Sequence, residues 1–199
     1  MAAPIILASA SPHRSAMLTA AGVAIEAIAA EIDERAVEQS MGEEARDGEL
    51  LASVLAEAKA TEVSSRYMDA VVIGCDQTLS MNEEIFHKPA NMHEARKNLL
   101  RLSGQTHRLN SAVALVQGGE TLWRHVAVAN MTMRAFDPGY VGRYLAATGD
   151  RVLASVGVYQ IEGLGINLFD KVEGDYFTIV GLPLLPLLAE LRKRKLIDG

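Results

Sequence analysis

Two long runs of strand-forming residues, near 106–116 and 121–134, meet across Gly118-Gly119. A Gly-Gly step supplies the positive-φ residues of a tight turn, so the pair reads as a long central hairpin. The hairpin excludes an all-helical chain, and what precedes it excludes an all-β one. Ile5-Ile6-Leu7-Ala8 reads as a short buried strand, followed by Met17, Leu18 and Ala21 at helical spacing. Ser11 as N-cap, Pro12 at the first helical position and Gly22 beyond the end bound that helix. A second helix carries Leu50, Leu51, Val54, Leu55 and Ala58 on one stripe, with Lys59 beside its end. Ala70-Val71-Val72-Ile73-Gly74 is too short and β-branched for a helix, and reads as a strand delivering Cys75-Asp76-Gln77 at its tip. Further helices are predicted over 94–102, from Asp137-Pro138 onward, and over 184–191; the sequence between the last two reads as irregular and Gly-rich. The fold class expected is α/β: an elongated mixed β-sheet flanked by helices, as a single domain over residues 1–199.

Composition narrows the function classes. A net charge of −6 over 199 residues argues against binding a nucleic-acid polymer, which calls for a basic surface. It leaves room for a small anionic ligand held by a few clustered cations. The lone Cys75 makes no intramolecular disulfide and suits a reducing, cytoplasmic compartment. Ala8-Ser9-Ala10 has the look of a signal-peptidase site, but no basic residue precedes it and the apolar stretch is short. The apolar run over 179–191 is interrupted by Pro183 and Pro186 and falls short of the ~20 residues of a membrane span. Arg192-Lys193-Arg194-Lys195 suits the negative end of a helix dipole. The expectation is a soluble cytoplasmic protein without a membrane partner.

Four segments carry possible chemistry. Ser9-Ala10-Ser11-Pro12-His13-Arg14 joins a strand to a helix N-terminus, where free N–H groups, two hydroxyls and Arg14 suit phosphate oxygens. The same grammar describes a capped helix with an incidental arginine, and the pattern alone does not separate the two. Asp76, at the end of an apolar strand, suits a metal or an activated water. Lys88 faces it across an apparent hairpin in which residues 78–81 return through Ile85-Phe86, an arrangement equally suited to an exposed ion pair. Glu31, Asp33 and Glu34, with Lys59 nearby, form an acidic cluster suited to Mg²⁺ or to a solvated loop. Gln160 and Glu162 lie in a Gly-flanked segment over 157–165, where backbone can approach a ligand closely. The five histidines show no zinc spacing, and no Gly-x-Ser-x-Gly elbow exists.

Taken in order, these segments resemble the Maf (septum-formation-inhibitor-like) nucleotide pyrophosphatases. The likeness rests on Leu7-Ala8-Ser9-Ala10-Ser11-Pro12-His13-Arg14, Ile73-Gly74-Cys75-Asp76-Gln77, Lys88-Pro89, Leu102-Ser103-Gly104 with His107, and Gly174-Asp175-Tyr176 running into Gly181-Leu182-Pro183-Leu184. It spans residues 5 to 190. The resemblance implies two lobes around a central nucleotide-binding cleft, a homodimer, and hydrolysis of a nucleoside triphosphate between its α and β phosphates with Mg²⁺ or Mn²⁺. It implies that Asp76 activates water, that Ser9, Ser11, Arg14, Lys59 and Lys88 hold the triphosphate, and that Glu34 joins Asp76 on the metal. Substrate choice falls to His13, Gln77 and Glu162. Asp-Gln followed later by Ile-Glu-Gly resembles the branch acting on 7-methyl-GTP, against the alternatives of a dTTP/UTP pyrophosphatase or a non-catalytic nucleotide-binding regulator of septum formation. His13 departs from the pattern, since the methylguanine branch tends to carry Trp there and the pyrimidine branch Arg; Cys75 stands where Ala or Ser is usual.

Overall fold

A computed structural model describes residues 3–198; positions 1, 2 and 199 of the expected domain lie outside the described residues. Strand β1 (Ile5–Ala8) is buried along its whole length and runs into α1 (Pro12–Ala20), where the Ser11 side chain accepts from the Arg14 amide and Pro12 opens the first turn. Gly22 follows the helix at φ +77°, a turn that only glycine takes without strain. Then come β2 (Glu26–Ala27), α2 (Glu34–Met41), a 3₁₀ turn over Gly42–Arg46, and the long α3 (Gly48–Arg66). Next are β3 (Val71–Met81), β4 (Glu84–Phe86), α4 (Met92–Leu102) and the predicted hairpin, β5 (Thr106–Gln117) with β6 (Glu120–Met133). The chain closes with α5 (Pro138–Thr148), β7 (Phe169–Glu173), α6 (Tyr176–Val180) and α7 (Leu184–Lys193).

The seven strands form one mixed sheet in the order β2-β1-β3-β5-β6-β7, with β4 also on β3. Only β1 pairs in parallel, with β2 and β3; all other pairs are antiparallel. Strand β3 is the spine. One edge pairs with β5 from Val72 to Ser80. Its other edge is shared: β1 covers Val71 to Gly74, β4 covers Leu79 to Met81, and residues 75–78 between them have no strand partner there. Two apolar cores flank this gap. Ile73 and Cys75 pack with Leu7, Leu18, Leu182 and Leu187, whereas Leu79 packs with Phe86, Leu99, Met131 and Tyr144. The strand between them is polar, with Asp76, Gln77 and Thr78 opposite Ala112, Ser111 and Asn110.

Alternation of side chains along β3 sends Val72, Gly74 and Asp76 to one face, which α3 covers. The approach is close because small residues line it: Ala52, Ala56 and Ala60 of α3 are fully buried against the sheet. A Cβ on Gly74 would lie 2.0 Å from the Ala56 carbonyl oxygen, so the helix backbone occupies the volume a side chain would need.

Several local expectations are corrected. Asp76 lies mid-strand, because β3 runs on past it through pairing with both β4 and β5. Lys59 is likewise mid-helix in α3, and Leu50, placed on its apolar stripe, is 39% exposed beside the buried Leu51. The acidic segment is not wholly loop: the Asp33 side chain accepts from the Ala36 amide, starting α2 at Glu34. The supposedly irregular stretch contains β7 and α6, which are too short to show a period. Among the described residues no helix is long and apolar enough to cross a membrane.

Because Gly74 faces backbone, Gly74→Ala is expected to lower unfolding stability by about 3 kcal/mol. Gly22 stands in open space at φ +77°, in the left-handed cap that ends α1, so Gly22→Ala should cost only about 1 kcal/mol of backbone strain. Urea unfolding of the two variants checks the ranking.

Candidate active site

The gap in the edge of β3 is the floor of a cleft of about 1120 Å³. Its lining includes Ser9, Ser11, His13, Arg14, Glu34, Lys59, Asp76, Gln77, Lys88 and Glu162, which is every residue that the family resemblance assigns to the site. Of the acidic cluster, Asp33 and Glu34 reach the cleft; Glu31 is not in its lining, and its amide donates instead to Glu62. Six segments contribute these ten residues: the β1–α1 turn with the first turn of α1, the start of α2, the middle of α3, the middle of β3, the segment just after β4, and the stretch after α5.

Arg14 is the most tightly held of these. Its Nε donates to the Gly181 carbonyl at 2.8 Å, and its Nη1 donates to the Cys75 carbonyl at 2.9 Å and to Ser9 Oγ at 3.3 Å. The Cys75 carbonyl is available because it belongs to the unpaired stretch of β3. Ser9 Oγ also accepts from the Ser11 amide, which fixes the turn before α1. The guanidinium fork therefore locks the β1–α1 turn, the floor strand and the segment after α6 into one geometry.

Lys59 projects from α3 between two carboxylates. Its Nζ lies 2.6 Å from Asp76 Oδ1 and 2.6 Å from Glu34 Oε1. Burial works to lower the Lys59 ammonium, but the charges and hydrogen bonds of Asp76 and Glu34 override it and hold the value above the ordinary one. Burial likewise works to raise the Glu34 carboxyl; the hydrogen bond and charge of Lys59, with Lys88 and Arg14 behind them, hold it below the usual value. Lys88, just beyond β4, is exposed on the rim. Cys75 is buried, which pushes its thiol up to about 11 against the pull of Arg14 and Lys59. It packs in the core and is no nucleophile at neutral pH.

The far wall brings together the residues expected to read a base. His13 Nδ1 of α1 lies 3.3 Å from Glu162 Oε1. Gln77 Nε2 donates to Ser111 Oγ at 2.9 Å, the Ile179 carbonyl at 3.0 Å and the Thr178 carbonyl at 3.1 Å. Its N–H groups are thus spent on the scaffold, leaving the amide oxygen as the atom with which Gln77 can meet a ligand. A family model for Maf-like proteins matches residues 4–194, across all of these segments. This chain belongs to the Maf-like family. It is 62% identical over 199 residues to the 7-methyl-GTP pyrophosphatase of Mesorhizobium japonicum, and 59% identical to that of Brucella abortus, with both chains covered in full in each case. A nucleoside triphosphate pyrophosphatase of Rhodopseudomonas palustris is 47% identical over 194 residues, 98% of this chain and 95% of that one.

The Maf-like sequence also builds parts of the cleft that its motifs do not advertise. Arg151 and Tyr159 line it, and neither falls in a recognisable spacing. The Tyr159 hydroxyl shares a 2.7 Å hydrogen bond with His107 Nε2, which joins the stretch after α5 to β5 across the core. Ser155 Oγ donates to the Tyr159 carbonyl at 2.7 Å, and Tyr144 donates its hydroxyl to the Val158 carbonyl at 3.1 Å. These bonds hold Val158 at φ +60°, a conformation a β-branched residue adopts only under constraint. Gly157 beside it has no room for a Cβ, which would fall 2.2 Å from the Tyr159 ring. Gln160 and Glu162 leave this pinned turn into the cleft.

His107 is fully buried, its Nδ1 has no partner among the described residues, and burial pushes its value down to about 4 from the ordinary 6.5. Between those two values the unfolded chain takes up a proton that the folded protein refuses. Stability should therefore fall by about 3 kcal/mol as pH drops from 6.5 to 4 through this group alone. Urea midpoints across that window check it, and the slope should flatten in His107→Asn.

Proposed function

We propose that this protein is a nucleoside triphosphate pyrophosphatase acting on 7-methyl-GTP. It would cleave the bond between the α and β phosphates with water to give the monophosphate and pyrophosphate. The observation that carries this reading is a buried acid set among cations: Asp76, 7% exposed and 2.6 Å from Lys59, on the floor of a cleft whose lining also includes Arg14 and Lys88. Phosphoryl chemistry asks for that combination, since its transition state needs charge neutralisation and positioning more than covalent help. The names of the full-length relatives support the same reading.

In this reading the triphosphate lies along the start of α1, where the Ser9 and Ser11 hydroxyls and the free amides of the first turn meet its oxygens. Arg14 and Lys88 neutralise the transferring group. Asp76 accepts a proton from the attacking water as its oxygen bonds to the α phosphorus, the bond from that phosphorus to the α–β bridging oxygen breaks, and pyrophosphate leaves with the bonding pair on that oxygen. Among the described residues no three His, Cys, Asp or Glu side chains gather closely enough to cage a metal. The donor set still fits a hard divalent ion, because two carboxylates completed by substrate phosphates is the usual Mg²⁺ pattern. Bound Mg²⁺ or Mn²⁺ would be held by Glu34 and Asp76 and would supply further neutralisation of phosphate charge. At the base, the Glu162 carboxylate accepts from guanine N1–H and the exocyclic amine and favours the positive charge of a 7-methylated ring. His13 holds Glu162 in place, and Gln77 offers its amide oxygen.

Pyrophosphate release with Mg²⁺ or Mn²⁺ is expected from 7-methyl-GTP ahead of GTP, UTP and dTTP; preference for the pyrimidines would reject the substrate assignment. Asp76→Asn is expected to lower kcat by about 10²–10⁴-fold with nucleotide binding retained, which equilibrium titration alongside turnover separates. Glu162→Gln should narrow the 7-methyl-GTP over UTP ratio in kcat/KM by about tenfold or more, the worth of one good base-edge contact.

A further inference from the structure

Lys59 does not lie free in the cleft. Its ammonium already bridges Glu34 Oε1 and Asp76 Oδ1 at 2.6 Å each, and these are the two carboxylates that the metal-assisted reading above assigns to the cation. An ammonium and a divalent ion held by the same two carboxylates stand within a few ångströms of each other and repel, and octahedral Mg²⁺ needs its oxygens at about 2.1 Å. The two cations compete for one position. On that reading, we infer that Lys59 is a resident counter-ion, which holds the metal position until a nucleotide draws it away, so that this site takes up its metal only together with the triphosphate.

The geometry favours such an exchange. Lys59 and Asp76 are almost enclosed, with side chains 14% and 10% exposed, whereas Glu34 is 52% exposed and forms the open side of the triad. A metal ion arriving alone would have to expel the ammonium into a cleft that also holds Arg14 and Lys88, and whose other carboxylates are already engaged, Glu162 by His13, Glu38 by Arg35 and His87, and Asp33 by the Ala36 amide, so that no free anion receives it. A triphosphate supplies that anion. Lysine suits the task, with three donors on a flexible stem that can pivot from carboxylates to phosphate while its backbone stays fixed in α3. Linkage makes the effect reciprocal: whatever favours nucleotide favours metal, and the site without nucleotide stays neutralised from within.

The test is binding of Mn²⁺ alone, followed by electron paramagnetic resonance, in the wild type and in Lys59→Met, Lys59→Gln and Lys88→Gln. Both Lys59 variants should bind Mn²⁺ about tenfold or more tightly than the wild type, because two carboxylates are left without their cation. Lys88→Gln removes one charge from the same cleft without freeing either oxygen, and should give a clearly smaller gain. Adding Asp76→Asn to Lys59→Met should abolish the gain. The inference is overturned if neither Lys59 variant binds more tightly, if Lys88→Gln matches them, or if the gain survives loss of the Asp76 carboxylate. None of these measurements needs turnover, so pyrophosphate release by the wild type can stand while this inference falls.

Discussion

The short distance between helix α3 and strand β3 governs the site. Where the helix crosses, Gly74 has no side chain and Ala52, Ala56 and Ala60 have the smallest ones available, so two backbones meet with almost nothing between them. One consequence is cohesion, since close packing of small residues gives dense dispersion contact. The other is reach. One residue short of the Ala60 contact, Lys59 spans directly to Asp76, a step of two along β3 from Gly74. With a bulkier layer between helix and sheet the two charges would face each other across water, and the Lys59–Asp76 pair would lose the low exposure that makes its electrostatics strong.

The second constraint is the interruption in β3's edge. A strand paired continuously on both sides would bury the carbonyl of Cys75 in the ladder and leave no opening for a ligand. Because β1 ends opposite Gly74 and β4 ends opposite Leu79, four residues of sheet edge are free for other uses. Arg14 takes the Cys75 carbonyl. Asp76 and Gln77, neighbours in sequence, point to opposite faces, one toward Lys59 and the other toward the carbonyls of α6. An overall net charge of −6 coexists with a local gathering of cations because Arg14, Lys59, Lys88 and Arg151 come to the cleft from distant segments of the chain.

The sequence made the long elements legible and hid the short ones. The hairpin over β5 and β6, the capped start of α1, and α4, α5 and α7 all carry a period or a punctuating residue long enough to read. Strands β2 and β7 and helix α6 do not, since two to five residues span less than two turns of helix or a few strand alternations. Asp76 was placed at a strand tip because its polarity looks like an ending; it is tertiary pairing with β5 that carries the strand through. The motifs drew the right residues toward one cleft, but each alone is compatible with a cap, a turn or a surface ion pair. The pinned turn at Val158 and the His107–Tyr159 bond left no pattern, because both arise from contacts between residues far apart in the chain.

The contact of Arg14 with the Gly181 carbonyl spans 167 positions of sequence. During synthesis the turn before α1, the floor strand and the lysine of α3 all emerge well before their anchor does. A nascent chain halted between β7 and residue 178 holds most of the cleft but lacks the acceptor that orients the guanidinium, and it lacks the carbonyls of α6 that orient Gln77 as well. The cleft is thus assembled from the first strand-to-helix turn of the fold and a segment translated long after it. Its geometry becomes fixed only when those two distant pieces have met.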